Sequence, residues 1–143
     1  MNADAVVLAA EDEPTDAFIL QLAFEKAGLA NHLTIVGDGQ AAVDYLSGVP
    51  PYGDRAVHPL PALLILDLKM PRMNGFDVLT WLRAHPGFTA LPAVVLSSSS
   101  DDEDIKRARS LGVRDYFVKP HCLDDLVAIL HGLRAHWLAP SPA

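Results

Sequence analysis

Asp67 ends the aliphatic run LLIL, Leu63 to Leu66, and Glu11 with Asp12 ends another, Ala5 to Ala10. Taken singly, Asp67 could be a turn former and Asp12 a helix cap. Taken together they imply a pocket, because ligands collect beyond the carboxyl ends of neighbouring parallel strands, where such carboxylates converge. Two unit charges about 4 Å apart repel by roughly 4 kcal/mol at an effective dielectric near 20, and a third multiplies the repulsion. Counter-charge is required. Lys119, in DYFVKP, supplies one positive charge, and a hard divalent cation bound through oxygen supplies the rest. Mg2+ suits this, since it needs few protein ligands and keeps waters and phosphate oxygens. His131 and His136 are five residues apart and do not share a helical face, and Cys122 stands alone, so no nitrogen or sulfur site competes.

The elements that must position these groups are legible as short aliphatic runs alternating with longer segments of helical period, the pattern of a parallel sheet with crossover helices. Strands are predicted over Ala5–Ala10, His32–Val36, Leu63–Leu66, Ala93–Ser97 and Asp115–Val118. Helices are predicted over Pro14–Ala27, Gly39–Ser47, Gly75–Ala84, Asp101–Leu111 and Leu123 to about Trp137. Asn74 is a candidate helix cap, Ser100 with Glu103 matches a capping box, and Gly28 and Gly112 are candidate stops. The segment Ser47–Pro61, SGVPPYGDRAVHPLP, has neither period and reads as a long surface loop, either a tolerated insertion or a partner contact.

At 143 residues and half hydrophobic, the chain fits one domain able to bury its own core. A net charge of −7 with scattered Lys and Arg argues against general nucleic-acid or anionic-membrane binding. The N-terminus has no basic leader and only a short apolar run, so neither a signal peptide nor a membrane span is expected, and the lone cysteine favours the cytoplasm. Neither G-x-G-x-x-G nor G-x-x-x-x-G-K-[ST] is present, and SSSS is not the G-x-S-x-G elbow.

Glu11-Asp12, Asp67 followed by MPRMNG, Ser97 after AVVL, and Lys119-Pro120 together resemble the receiver domain of two-component response regulators, over about Val6 to Leu133. The resemblance implies a flavodoxin-like, doubly wound α/β fold with five parallel strands in order 2-1-3-4-5. It implies that Asp67 accepts a phosphoryl group from a phosphohistidine on a sensor histidine kinase. Asp12, Asp67 and the backbone carbonyl of Lys69 would hold Mg2+, with Glu11 acting through a metal-bound water. Lys119, the Ser97 hydroxyl and the Ser98 backbone would hold phosphoryl oxygens. Lys69 and Ser99 would modulate the lifetime of the acyl phosphate. Pro71 and Gly75 would shape the loop after the acceptor, and Pro120 would follow a cis peptide. Ser97 and Tyr116 would form the switch, Ser97 moving toward the phosphoryl group and the Tyr116 ring turning inward. The surface of the fourth helix, fifth strand and fifth helix would then change. Glu13, His121 and Cys122 depart from the family's usual residues without removing a required group.

The long loop, the phrase VVLSSSSDDEDI and the extended last helix resemble the stand-alone regulators of bacterial phytochrome kinases. That likeness implies a bacteriophytochrome as kinase and a homodimer through the last helix, with Trp137 and Leu138 contributing. A single receiver domain over residues 1–143, with a core of about 5–137 and a flexible tail APSPA, is expected to signal through an unknown downstream protein. Such a chain catalyses its own phosphorylation and dephosphorylation and is not a metabolic enzyme. The rival readings are a phosphorylation-independent pseudo-receiver that binds protein, and a phosphorelay intermediate.

Overall fold

The computed structural model describes residues 5–138; Met1–Asp4, the tail APSPA and the side chains of Asn31 and Leu138 lie outside the described residues. Five strands, β1 (Val7–Ala10), β2 (Leu33–Val36), β3 (Leu63–Leu66), β4 (Ala93–Ser97) and β5 (Asp115–Val118), form one parallel sheet in the order β2-β1-β3-β4-β5. This is the doubly wound, flavodoxin-like arrangement expected. The helices are α1 (Pro14–Lys26), α2 (Gly39–Ser47), α3 (Gly75–Ala84), α4 (Asp102–Ser110) and α5 (Leu123–Leu133), the last continuing into a π-helical turn over Arg134–Leu138. β2 begins one residue later than expected because Ala30–His32 is a 3-10 turn, fixed by the buried His32 ring, whose Nδ1 donates to the Ala5 carbonyl at 2.6 Å.

Strand side chains alternate between two cores, as the period of two requires. Leu8, Ala10, Leu64, Leu66 and Val95 pack against α2 and α3 through Tyr45, Leu46, Val78 and Leu79. Val7, Ala9, Leu63, Ile65 and Val94 pack against α1 and α5 through Leu20, Phe24, Leu126 and Leu130. Because both faces are covered, these strands are continuous apolar runs, and each fully buried Leu or Ile contributes about 1.5–3 kcal/mol.

The helix ends follow local chemistry. Asn74 and Asp77 form a reciprocal capping box at α3, with bonds of 2.9 and 3.1 Å. Gly28 and Gly112, at φ +75° and +92°, stop α1 and α4 as expected. The expected Ser100–Glu103 box is absent: Asp101 is the cap, accepting the Glu103 N–H at 3.0 Å, so Ser100 lies one residue too early. At α1 the cap is Glu13, accepting from Thr15 N at 2.9 Å, which leaves Asp12 free of that duty. The peptide before Pro120 is trans, correcting the cis expectation; the one cis bond among the described residues is Pro50–Pro51. Trans is the intrinsically favoured isomer by about 0.5–1 kcal/mol, and Lys119 reaches its partners without the exception.

The loop from Gly48 to Pro61 is built rather than loose. Arg55 donates to the carbonyls of Tyr45, Leu46 and His58 at 2.8, 2.9 and 3.2 Å, closing the C-terminus of α2. The rings of Tyr45, Tyr52 and His58 pack at centroid distances of 5.2 to 5.7 Å, and the Tyr45 hydroxyl donates to Pro59 O at 2.8 Å.

Candidate functional site

Strand register carries the site. Ala10 pairs with Leu66, Leu66 with Val95, and Ser97 with Val118, so the residues just beyond these pairs, Glu11, Asp67 and Lys119, open onto one edge of the sheet. Backbone bonds extend the ladder past the strand ends and fix each one: Glu11 N–H donates to Val36 O at 3.0 Å, Asp67 N–H to Ala10 O at 3.2 Å, and Lys119 N–H to Ser97 O at 2.8 Å. These bonds tie β1 to β2, β3 to β1 and β5 to β4, and the β3–β4 ladder joins the two halves, so the three strand ends are held in one frame.

Glu11, Asp12 and Asp67 each offer a carboxylate oxygen within 4.8 Å of the others. Glu11 and Asp67 are buried and Asp12 is exposed, an acidic cluster with one open side. Lys119 Nζ reaches into it, donating to Glu11 at 2.6 Å, Asp67 at 2.8 Å and Asp16 at 2.8 Å. Burial pushes the Lys119 pKa down, but hydrogen bonds to Asp16, Asp67 and Glu11 outweigh it and hold the ammonium charged well above its usual range. Burial pushes Glu11 up; the Lys119 hydrogen bond opposes this and the Asp67 charge adds to it. One cation among four carboxylates leaves a strong negative excess, and the all-oxygen donor set fits a hard divalent ion such as Mg2+.

Gly75 is set by contact as well as by turn shape: a Cβ there would lie 2.4 Å from the Asp67 carbonyl oxygen and 3.0 Å from Leu68 Cα. Lys69 N–H donates to Asp67 Oδ1 at 3.3 Å, and Lys69 and Pro71, with Asp12, line a groove of about 430 Å³ beside the acids. Ser97 is fully buried at the end of β4, its Oγ accepting the Ser99 N–H at 3.3 Å, while Ser98 is exposed on the following loop. Tyr116 sits inward, 9% exposed, with its hydroxyl donating to Ser99 O at 2.8 Å. Ser99 Oγ in turn donates to Asp104 at 2.6 Å. Pro120 lines a pocket with Glu11, Asp16 and Lys119.

Residues 7–131 match the model of the response regulator receiver domain. The chain belongs to the response regulator receiver domain family. This receiver is 34% identical over 142 residues to the probable methanogenesis regulatory protein FilR2 of Methanothrix harundinacea, covering 96% of this chain and 89% of that protein. It is 31% identical over 137 residues to the response regulator Rcp1 of Synechocystis, covering 96% and 91%. Among solved structures it resembles a response regulator in red light signalling of R. palustris, at TM-score 0.88 and 35% identity over 97% of this chain and 99% of that one. It also resembles the phosphorylated cyanobacterial phytochrome response regulator RcpA, at TM-score 0.85 and 30% identity over 99% and 100%. The Mn2+-bound form of Rcp1 is similar at TM-score 0.81 and 30% identity, over 97% and 99%.

Two features of the receiver's site are not anticipated from the sequence. Asp16, in the first turn of α1, reaches the site through its bond from Lys119 Nζ at 2.8 Å. The second is a latch. Asp38, 2% exposed, caps α2 through Ala41 N at 2.8 Å and takes an ion pair from Arg72, whose Nε lies at 2.8 Å. Burial pushes Asp38 up, but the Ala41 N–H and the Arg72 guanidinium hold it below the usual carboxylate range. Arg72 adopts φ +62°, and no local signal foretells either its conformation or its distant partner.

Proposed function

We propose that this chain is a single-domain response regulator that accepts a phosphoryl group on Asp67 from a sensor histidine kinase in a Mg2+-dependent reaction. The observation that carries the reading is Lys119 Nζ, 2.8 Å from the Asp67 carboxylate inside an acidic cluster otherwise in need of a divalent ion. Asp12, Asp67 and the Lys69 carbonyl would hold Mg2+, with Glu11 acting through a metal-bound water. The ion would neutralise the charge on the transferring phosphoryl group. Lys119 would pair with one phosphoryl oxygen, and the Ser97 hydroxyl and Ser98 backbone would hold others.

Signalling then requires a bistable element. Ser97 moving toward a phosphoryl oxygen would pull on Ser99, and through the Ser99 carbonyl on the Tyr116 hydroxyl, re-posing the α4-β5-α5 surface for a downstream protein. Pro71 and Gly75 keep the acceptor loop in shape, and Pro120 closes the site behind Lys119. The phytochrome response regulators among the similar structures support a bacteriophytochrome as the kinase. No described helix is long and apolar enough to cross a membrane, and on this reading the protein acts in the cytoplasm. A homodimer through the end of α5 completes the proposal; half-buried Trp137 is its candidate contact, and sedimentation at high concentration tests it.

Intact mass after incubation with acetyl phosphate tests the central claim. Mg2+ should permit a gain of one phosphoryl group, chelator should abolish it, and Asp67→Asn should lack it. No gain in the unaltered protein under any of these conditions would refute the reading.

A further inference from the structure

Lys119 is shared, and its third partner has no part in the chemistry above. Asp16 Oδ2 lies 2.8 Å from Lys119 Nζ, as close as Asp67 Oδ2. Yet Asp16 is far less enclosed: its side chain is 37% exposed, against 6% for Glu11 and 9% for Asp67. It stands in the first turn of α1 and lines a pocket with Glu11, Lys119 and Pro120, whereas the groove that Asp12 and Lys69 line does not include it. The cluster of Glu11, Asp12 and Asp67 does not include it. An ammonium has three protons to give, and here all three are directed to carboxylates. A phosphoryl oxygen arriving at Asp67 must therefore displace one of them.

We propose that Asp16 is a positioning residue that draws Lys119 away from the acceptor and thereby restrains phosphorylation. The inference rests on the reading of Asp67 as phosphoacceptor. With acetyl phosphate as donor, an Asp67 oxygen attacks phosphorus, the bond from phosphorus to the acetyl oxygen breaks, and acetate leaves with the electron pair. No proton is transferred and total charge is conserved. Lys119 must follow the phosphoryl oxygens through this step, and the Asp16 carboxylate opposes that movement in two ways. It holds the ammonium by a charged hydrogen bond, and it adds a negative charge to a site that must admit a dianion. Of the three partners Asp16 is the one to yield, because water reaches it and can replace the ammonium.

The test is Asp16→Asn beside Asp16→Glu, with rates of phosphorylation by acetyl phosphate at saturating Mg2+ over a range of donor concentration. Affinity for beryllofluoride, a non-reacting phosphoryl mimic, is the second readout. An exposed ion pair contributes about 0.2–1 kcal/mol, which as a barrier change is roughly 1.4- to 5-fold. Asp16→Asn should raise the maximal rate and tighten beryllofluoride binding by factors in that range, and Asp16→Glu should return both toward the parent values. Melting temperature reports any loss of structure independently. An Asp16→Asn protein that is slower than the parent, or unchanged in both readouts, overturns the restraint while leaving Asp67 as acceptor intact. A parent protein that takes neither a phosphoryl group nor beryllofluoride overturns the acceptor reading and this proposal with it.

Discussion

Gly37 and Gly39 lie two residues apart, neither has a positive φ, and alanine at the two positions should act in opposite directions. A Cβ on Gly39 would lie 2.1 Å from the Met73 carbonyl oxygen, 2.8 Å from its carbon and 2.9 Å from Val78 Cγ2. Ordinary packing needs about 3.5–4.0 Å, so the carbonyl must retreat by roughly an ångström or more. That retreat also breaks the bond of 3.0 Å from Gly39 N–H to Met73 O. Overpacking of this kind costs about 1–3 kcal/mol, and the lost hydrogen bond about 0.5–1.5 kcal/mol. The helical preference of Ala over Gly returns about 0.5–1 kcal/mol. Gly39→Ala should therefore lose about 0.5–4 kcal/mol, centred near 2 kcal/mol, a drop of roughly 4–8 °C in melting temperature at that centre for a chain of this size.

Gly37 has nothing within 4 Å of its built Cβ, and Gly37→Ala should gain about 0.4–1 kcal/mol by restricting the unfolded chain. Urea denaturation of both variants beside the parent gives the comparison directly. The site adds a second reading, because Met73 belongs to the loop that runs from Asp67 to α3. A displaced Met73 should also weaken Mg2+ binding measured by calorimetry. A Gly39→Ala protein as stable as the parent would refute the close approach and the positioning assigned to it.

Arg55→Ala should cost about 1–2 kcal/mol and speed amide exchange across residues 48–61, because the carbonyls of Tyr45, Leu46 and His58 lose their shared donor; unchanged exchange would make the loop independent of Arg55. Arg72→Ala should be less stable than Arg72→Gly by about 1 kcal/mol in urea, since both lose the Asp38 pair but only alanine keeps the steric cost of φ +62°; equal stabilities would remove the strain. Glu11, raised mainly by burial, holds its proton in the folded state to higher pH than in the unfolded chain, whose value is near 4.5. Metal-free stability should thus fall as pH rises from about 4.5 through the raised Glu11 value, and saturating Mg2+ should reduce the fall. Melting curves across this window with Mg2+ or chelator decide it, and a metal-free stability that climbs through it would reverse the assignment.

The sheet was legible because its strands are buried on both faces, which makes Leu63–Leu66 and Ala93–Ser97 stand out as unbroken runs with sharp ends. The acids were legible for the same reason, since a carboxylate at the end of a buried run is costly to desolvate unless a cation or a ligand meets it there. What stayed hidden depends on distance or on side-chain reach. Arg72 and Asp38 are separated by 34 positions, and a positive φ is ordinarily signalled by Gly or Asn rather than Arg. The Ser47–Pro61 loop showed neither period, yet Arg55 supplies from a side chain the donors that a regular element would take from its backbone. Ser100 failed as a cap because Asp101 beside it is an equally strong candidate, and the chain geometry after β4 selected the later residue.

Why the site survives on so small a scaffold follows from the register. Side chains along a strand alternate in direction and advance by about 3.3 Å per residue. A slip of β5 by one residue would carry Lys119 out of reach of Asp67 and turn the chain's apolar side chains to the wrong face. The bond from Lys119 N–H to Ser97 O, one step past the last pair of the ladder, opposes that slip where it would matter most. It also ties two groups of shared duty. On the proposed reading Ser97 meets the phosphoryl group through its hydroxyl, while its carbonyl holds the backbone of the lysine that must meet the same group. Any movement of Ser97 toward phosphate is therefore felt at Lys119 through one hydrogen bond and at Tyr116 through Ser99. On that reading charge sensing and surface change would share a single strand end, so a variant that loosens β4 from β5 should lose both together.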